Sequence, residues 1–204
     1  QSILDYNHGR DPERLRRKFK LLRQDPFAFF RGTCHLFYQS MPRDAARDGA
    51  PAVLACGDLH LENFGTYKGD NRLAYFDLND FDETALAPFT LELARFIASV
   101  LVAAEHLGLS KPQALKLCRT FLDAYRHWIV DGKPRWLERS TADGMVRDLL
   151  FTLKKRSRRE LLDLRTVRTT SGRRLRIDDR RTLPLAPENR AQLGVFLKRF
   201  GAAH

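Results

Sequence analysis

Residues 56–65 read CGDLHLENFG and residues 75–83 read YFDLNDFDE, and these two stretches decide the fold of the chain. Each follows a short apolar run that predicts a β-strand, and the residues KGDN between them predict the turn of a hairpin. Loops at strand ends can direct side chains into a site. Because a hairpin returns the chain on itself, we expect Asp58, Asn63 and Asp77 to meet.

This set of polar residues suits phosphoryl transfer. In that reaction one carboxylate accepts or orients the attacking hydroxyl, while an amide oxygen and a second carboxylate hold Mg²⁺ against the phosphates. Asp58 and Asn63 lie five residues apart in a loop that offers hard oxygen ligands and no soft ligand beyond Cys56. His60 is expected either to fix the loop by hydrogen bonding, as a structural histidine, or to lie near the transferred group.

The same stretches resemble known families. GDLHLEN resembles the catalytic loop of the aminoglycoside phosphotransferase and choline kinase-like branch of the protein-kinase-like fold, and YFDLND is similar to the metal-binding segment of that branch. The whole stretch over 26–89 resembles more closely DUF2252, a family of bacterial proteins of unknown function. The matching pieces are PFAFFRG at 26–32, CGDLHLENFG at 56–65 and FDLNDFDET at 76–84.

The resemblance implies a role for each matching residue and a reaction for the site. Asp58 is expected to be the catalytic base, with His60 beside it. Asn63 and Asp77 are expected to be ligands of Mg²⁺, and ATP is the implied phosphate donor. The phosphate acceptor is expected to be a hydroxyl group of a small molecule, with a protein hydroxyl as the alternative.

Two further acids and one arginine are expected near this set. Asp80 and Asp82 could support the metal ligands or bind a second ion. Arg31 lies in a run of phenylalanines, where a charged residue must be paired. Two alternatives stay open for it: a buried ion pair with one of the loop aspartates, or a clamp on phosphate.

The acidic run 77–83 also has two simpler interpretations. A calcium loop is excluded, because its sixth position counted from Asp77 is Asp82, where glycine is required. Helix capping is the favoured interpretation for Asp82 and Glu83, since acids are stabilised at a helix N-terminus.

The fold class predicted from the whole sequence is α+β and mostly helical, with a small β-hairpin that carries the site, as in a kinase C-lobe. We expect a single lobe over 1–204, built from N-terminal helices, a catalytic and metal-binding region, and a helical, basic remainder, at 1–50, 51–89 and 90–204. Helices are predicted from Asp11 to the residue before Pro26, over 27–38, 90–107, 111–130 and 141–156, and from Pro187, with a basic hairpin or extended loop over 172–182.

Kinase-like enzymes also need a glycine-rich phosphate loop and a strand lysine with a glutamate partner. The sequence contains no convincing version of either element. The nucleotide-holding lobe is therefore expected to lie outside this chain, and activity of this chain alone stays an open question.

Charge is distributed unevenly and suggests a rival function. The net charge is +11, and residues 133–204 alone hold 19 Lys and Arg against 8 Asp and Glu, so the rest of the chain is neutral. Such a field attracts nucleic acid or phosphates. A nucleic-acid-binding module with Arg173, Arg174 and Arg176 on its surface is thus one alternative, although no known binding motif supports it. A metal-dependent phosphohydrolase is another, because the same carboxylates can activate water.

Cysteine usage and hydropathy indicate in which cellular compartment the protein is expected. The three cysteines are widely spaced and odd in number, which argues against a disulfide framework, and they lack the close pairs of a zinc site. We expect them to be small buried residues in a cytoplasmic protein. No apolar run approaches the roughly 18 residues that a membrane span needs.

Overall fold

The fold is α+β, as the sequence predicts, with about 54% of the residues in helices and with short antiparallel strands. The computed structural model describes residues 2–44, 49–153, 157–178 and 182–203. Contacts divide the chain into two units, Gln1–Leu150 and Phe151–His204. The predicted segments 1–50 and 51–89 lie within the first unit. The predicted segment 90–204 begins in the first unit and continues into the second.

Four short helices begin the first unit, and aspartate–proline pairs start two of them. These helices are α1 (Ser2–Tyr6), α2 (Pro12–Leu22), α3 (Pro26–Gly32) and α4 (Cys34–Ser40). The Asp11 carboxylate accepts the Arg14 amide at 2.8 Å, and the Asp25 carboxylate accepts the Phe27 amide at 2.9 Å. Each cap satisfies an amide that the first helical turn leaves unpaired. The predicted start of the first long helix at Asp11 is confirmed.

The single helix predicted over 27–38 is two helices, and the break lies at Thr33. Its backbone leaves the helical region (φ −128°, ψ 40°), and its hydroxyl donates to the Phe29 carbonyl at 2.6 Å. A β-branched side chain that bonds back to the preceding turn disfavours continuation of the helix. The predicted helix is therefore interrupted directly after Arg31 and Gly32.

The predicted hairpin is present, and it belongs to a three-stranded sheet. Strands β2 (Phe64–Lys68) and β3 (Ala74–Leu78) pair antiparallel, with Gly65 opposite Asp77. A later strand, β5 (Leu137–Glu138), pairs with the outer side of β3. The hairpin thus places the two loops of interest at one end of this sheet, before β2 and after β3.

A separate two-stranded ribbon joins β1 (Ala52–Ala55) to β4 (Ala85–Pro88). The sequence predicts that the first of these strands is buried, and this is wrong for all but Ala55. Leu54 lies opposite Leu86 in the ribbon, and both side chains are largely exposed. Within β1 only the last residue, Ala55, is buried. The helix that follows β4 packs against this strand.

The helix-cap interpretation of Asp82 and Glu83 is also wrong. Strand β4 lies between them and the next helix, which begins at Phe89 with Pro88 as its N-cap residue. The Glu83 carboxylate instead accepts the Tyr6 hydroxyl at 2.9 Å. The acidic turn is therefore tied to the first helix of the chain.

Two long helices form the base of the first unit: α5 (Phe89–Ala103) and α6 (Lys111–Asp131). Their shared core contains Phe96 and Val100 of α5, Cys118 of α6, and two residues of the loop itself, Cys56 and Leu59. The loop is thus anchored by its own apolar side chains.

The cysteines are free and buried, as predicted: Cys34, Cys56 and Cys118. Burial is the main cause that raises the pKa of Cys34 and of Cys56 to about 12. Both thiols therefore stay protonated near neutral pH, which suits packing and does not suit zinc binding.

The remaining elements are α7 (Gly144–Leu153), α8 (Arg158–Arg165), β6 (Thr166–Thr169), β7 (Gly172–Leu175) and α9 (Pro187–Ala203). The basic hairpin exists but lies earlier than predicted, at 166–175, and residues 179–181 of the predicted range lie outside the described residues. The predicted end of α7 at 154–156 also lies outside them. Among the described helices, none is long and apolar enough to cross a membrane.

Gly57 generates a stability prediction, because it has a left-handed backbone (φ +87°) and an added Cβ would overlap the Glu83 carbonyl. Gly57→Ala is expected to lower the free energy of unfolding by about 3 kcal/mol or more. Gly108→Ala is the matched control: its φ is +67° with no atom within 4 Å of an added Cβ, so backbone strain alone costs about 1–2 kcal/mol.

Urea unfolding followed by tryptophan fluorescence checks this comparison. Both tryptophans, Trp128 and Trp136, lie in the first unit with the two glycines, so the signal reports on the correct part of the chain. Equal losses for the two variants would show that the approach of Gly57 to Glu83 is unimportant.

Candidate active site

Three polar side chains on one face of α5 hold the loop that contains Asp58. Glu92 and Ser99 accept backbone amides of the loop: the Glu92 carboxylate accepts Cys56 N–H at 2.6 Å, and the Ser99 hydroxyl accepts Leu61 N–H at 3.2 Å. Arg95 lies between them. Spacings of three and four residues place all three on the same face of the helix. The loop therefore takes its shape from α5.

Arg95 makes the central contact of the site, an ion pair with Asp58. Its Nε and Nη2 donate to Asp58 Oδ1 at 2.9 and 2.6 Å, and Nη2 also donates to the Phe30 carbonyl at 2.8 Å. The guanidinium carbon lies 3.6 Å from the centre of the Phe30 ring. Arg95 is 0% exposed, whereas the Asp58 side chain is 21% exposed. Both arginine bonds end on one oxygen, so Asp58 keeps Oδ2 for another partner.

His60 is buried beside this pair and caps the short 3-10 helix Leu61–Asn63. Its Nδ1 accepts the Glu62 amide at 3.1 Å, while Nε2 lies 3.2 Å from Arg31 Nε and 3.7 Å from Asp58 Oδ2. A neutral imidazole has one acceptor nitrogen, so it accepts only one of these two N–H groups at a time. Burial lowers the pKa of His60, and the Asp58 charge opposes this effect. This arrangement fits the loop-fixing interpretation, and a catalytic role stays a prediction.

Arg31 is exposed rather than buried, and its partner is a glutamate. Its Nη1 donates to the Glu62 carboxylate in an ion pair at the surface. The predicted buried pair with a loop aspartate is therefore wrong for Arg31. Exposed pairs contribute about 0–1 kcal/mol because water screens them. The pair can open at little cost, and the phosphate-clamp alternative stays a prediction.

Asn63 is buried and its amide fastens the two loops together. Its Nδ2 donates to the carbonyls of Asp58 at 3.1 Å and Asp80 at 3.3 Å, and its Oδ1 accepts Asp80 N–H at 2.9 Å. The amide oxygen has two lone pairs, of which one is used here. Asn63 thus acts as a clamp in this structure, and its metal-ligand role stays a prediction.

The clamp places Asp80 close to two other carboxylates. A hydrogen bond with Asp82 is the main cause that raises the pKa of Asp80, and burial and the charges of Asp82 and Asp58 raise it further. Asp80 and Asp82 are both exposed. Asp80 and Asp82 therefore form an acidic cluster at the surface, and the charge of Asp58 acts on Asp80 from a distance.

Asp77 lies apart from this cluster in its hydrogen bonding. It is exposed on β3, opposite Gly65, and its Oδ1 accepts the amide of Leu78 at 2.8 Å. Within the described ranges no hydrogen bond joins Asp77 to Asp58 or Asn63, and no three His, Cys, Asp or Glu side chains form a group that could hold a metal ion. The expected meeting of three residues is seen directly for Asp58 and Asn63, and the metal role of Asp77 stays a prediction.

The predicted basic surface lies in the second unit, where one acid pairs with several of its arginines. Arg173 donates to Asp163 Oδ1 at 2.5 Å, and Arg168 lies 3.5 Å from the same oxygen. Arg176 donates to the Asp163 carbonyl at 3.4 Å, while Arg174 is exposed on β7. The Arg173 bond is the main cause that lowers the pKa of Asp163. Local pairing reduces the free positive charge of this hairpin, and nucleic-acid binding stays a prediction.

Sequence reasoning missed Arg95, together with Glu92 and Ser99. The available signal was a lone arginine in the otherwise apolar segment LELARFIASV of α5. A charged residue among apolar neighbours must be paired. This rule holds for Arg95, although it was Arg31 that the sequence suggested.

Comparison with known proteins yields one match. A family model described as "Uncharacterized protein conserved in bacteria (DUF2252)" matches residues 10–203. No curated protein and no solved structure matches the chain. The matched range contains every residue of the site, and it extends the resemblance well beyond the stretch 26–89.

The Arg95–Asp58 pair generates a second stability prediction. Arg95→Met is expected to lower the free energy of unfolding by about 3 kcal/mol or more, because it leaves a partly buried carboxylate without its partner. Arg31→Met is the matched control, since it removes an exposed pair and should cost about 1 kcal/mol or less.

A double-mutant cycle separates the pair from general packing. Urea unfolding of Arg95→Met, Asp58→Asn and the combined variant should give a combined loss smaller than the sum of the two single losses. Additive losses would mean that the ion pair does not stabilise the fold.

The Asp80–Asp82 contact generates a pH prediction. The folded pKa of Asp80 is raised above its ordinary value of 3.8. Its proton therefore stabilises the fold below that value, and this contribution is lost as the pH rises through the folded pKa. Asp80→Asn should unfold at a higher temperature than the wild type at neutral pH, with the difference shrinking toward about pH 4 and below.

Thermal unfolding across this pH range checks the effect. Asp70→Asn is the control, because Asp70 is an exposed aspartate in the hairpin turn, outside the acidic cluster. A constant difference between Asp80→Asn and the wild type at all pH values would contradict the carboxylate contact.

Proposed function

Because the chain belongs to the DUF2252 family, whose description names no activity, we propose its function from the site: a kinase-like phosphotransferase that uses Mg-ATP to phosphorylate a hydroxyl group of a small molecule. One observation carries this proposal. Asp58 is held by Arg95 through a single oxygen, and its charge helps to raise the pKa of Asp80, which shares a hydrogen bond with Asp82. The kinase-like C-lobe is part of the same proposal and rests on the motifs GDLHLEN and YFDLND.

Asp58 is proposed to orient the acceptor hydroxyl. Protein groups contribute to phosphoryl transfer mainly through positioning and electrostatics, so a fixed carboxylate matters more than a strong base. Arg95 fixes the side chain and balances its charge through Oδ1, which leaves Oδ2 to accept the hydroxyl hydrogen bond. The buried imidazole of His60, with Nε2 3.7 Å from Oδ2, closes one side of this position.

Asp80 and Asp82 are the residues whose chemistry best fits Mg²⁺. Their carboxylates are hard oxygen ligands that already share a hydrogen bond, and a divalent cation could replace the proton that this contact retains. Mg²⁺ in phosphotransfer sites commonly takes one or two carboxylates together with substrate phosphates and waters. The ion would neutralise charge that develops on the phosphates. Asn63 then serves as the clamp on Asp80, and Asp77 keeps its implied ligand role.

For ATP the fit of this chain's own residues is partial. Near the loop, Arg31 supplies a guanidinium whose surface pair with Glu62 is weak enough to exchange for phosphate. Within the described part of the chain no glycine-rich loop precedes a helix in the manner of a phosphate-binding loop. The nucleotide-holding groups that the resemblance implies are therefore not among the residues of this site.

Calorimetric titration with Mg-ATP tests the proposal. Asp80→Asn and Asp82→Asn should each weaken binding about tenfold or more, since each removes a charged ligand. Asp70→Asn is the control and should bind like the wild type. Asp77→Ala in the same titration tests whether the implied ligand role of Asp77 holds.

A transfer assay tests the chemical step. With labelled ATP and an aminoglycoside or choline as hydroxyl acceptors, Asp58→Asn should retain Mg-ATP binding and lose about 10²-fold or more in rate. Phosphate release that needs no acceptor would replace the transferase by the phosphohydrolase. Failure of the wild type to bind Mg-ATP, or unchanged binding in both Asp80→Asn and Asp82→Asn, would contradict the proposed site.

A further inference from the structure

An open apolar groove of the first unit has Arg95 among its lining residues and Asp58 outside them. Its volume is about 990 Å³, which lies at the upper end of the size range of small-molecule sites. Helices α2 to α5 all contribute to its walls. The apolar side chains that line it are Leu22, Phe29, Phe30, Leu36, Phe37 and Val102.

One buried donor on the wall of this groove has no partner. Arg95 lines the groove, is 0% exposed, and uses Nε and Nη2 for Asp58 and the Phe30 carbonyl. Its Nη1 has no hydrogen-bond partner in the described parts of the chain. A buried N–H left unpaired is costly, and native proteins leave few of them. An acceptor that entered the groove would remove this cost.

The other buried or half-buried polar groups of the groove are used locally. The Asp25 carboxylate caps α3 by accepting Phe27 N–H, and the Thr33 hydroxyl donates to the Phe29 carbonyl. Arg23 and Gln24 lie exposed at the rim. The groove therefore offers an incoming ligand one buried donor, Arg95 Nη1, in an apolar surrounding.

We propose that this groove binds an amphipathic small molecule whose apolar body packs on Phe29, Phe37 and Val102 and whose head is an oxygen acceptor bound by Arg95 Nη1. The head is a carboxylate or a carbonyl, since both accept from a guanidinium, and Asp58 already balances the arginine charge. The site is distinct from the acidic cluster, and its ligand does not depend on phosphotransferase activity.

Calorimetric titration with decanoate, decanamide and decyltrimethylammonium tests the head group. All three have the same apolar chain, and only the first two carry an oxygen acceptor. Decanoate or decanamide should bind about tenfold or more tightly than decyltrimethylammonium, because only they pair the buried donor. The preference between decanoate and decanamide identifies the head as charged or neutral.

Two tryptophan substitutions on adjacent residues of α5 locate the ligand. Val102 lines the groove and is 36% exposed, whereas Leu101 is 41% exposed and does not line it. Val102→Trp should fill the groove and weaken decanoate or decanamide binding about tenfold or more, while Leu101→Trp should bind like the wild type. Circular dichroism of both variants reports whether each is folded.

Three results would overturn the proposal. The first is no binding of decanoate or decanamide to the wild type at millimolar concentration, which would mean that the groove does not take a small amphipathic ligand. The second is equal binding of decyltrimethylammonium, which would mean that Arg95 does not select the ligand. The third is unchanged binding in a folded Val102→Trp variant, which would place the ligand elsewhere.

Discussion

The ion pair between Arg95 and Asp58 is the interaction on which the rest of the first unit depends. A fully buried guanidinium is expensive to remove from water, and it is tolerated only when its charge and most of its donors are matched. Asp58 supplies the charge, the Phe30 carbonyl supplies a second acceptor, and the Phe30 ring supplies a face for the cation. One side chain of α5 thereby joins the loop that contains Asp58 to the N-terminal helices.

The backbone of the loop that contains Asp58 is held in place by its contacts, whereas the nearby acidic side chains are exposed. Gly57 and Asn63 fix the backbone of the loop against the acidic turn, the first by close approach to Glu83 and the second by three hydrogen bonds. The Asp58 side chain is 21% exposed, with Oδ2 3.7 Å from His60 Nε2, and Asp80 and Asp82 are exposed. Groups held in place before a reaction need no reorganisation during it, which is the condition for electrostatic catalysis.

Local signals in the sequence predicted the local structure well. Aspartate followed by proline marks the start of α2 and the KGDN turn marks the hairpin, because each of these depends on nearby residues alone. The exposure of Leu54 was not predicted, because it depends on what packs against the segment. Arg95 escaped for the same reason, since its partner lies 37 positions away.

The candidate site illustrates this limit further. Motif spacing identified Asp58 and Asn63, but residue type alone did not distinguish a ligand from a clamp, and the Asn63 amide is used for backbone contacts. Motif spacing also predicted that Asp77 lies with them. Successive side chains of a strand point to opposite faces, so Asp77 lies on the face of β3 opposite to Phe76 and Leu78. Leu78 packs against the core, so its neighbour Asp77 lies on the opposite face of the strand. Which face of β3 meets the core is fixed by the register of the hairpin, and register is a property of the pair of strands.

Arg95 contacts both the loop and the groove, and this links the two sites energetically. Its Nε and Nη2 set the position of Asp58, while the buried Nη1 has no partner among the described residues and Arg95 lines the groove. An acceptor at Nη1 shifts electron density and position in the guanidinium, and hence the strength of its bonds to Asp58. Linkage requires that a ligand bound at Asp58 and a ligand bound in the groove change each other's affinity by the same factor. The planar fork of arginine makes this coupling possible, whereas the single ammonium of a lysine at this position could not serve both sides with fixed geometry.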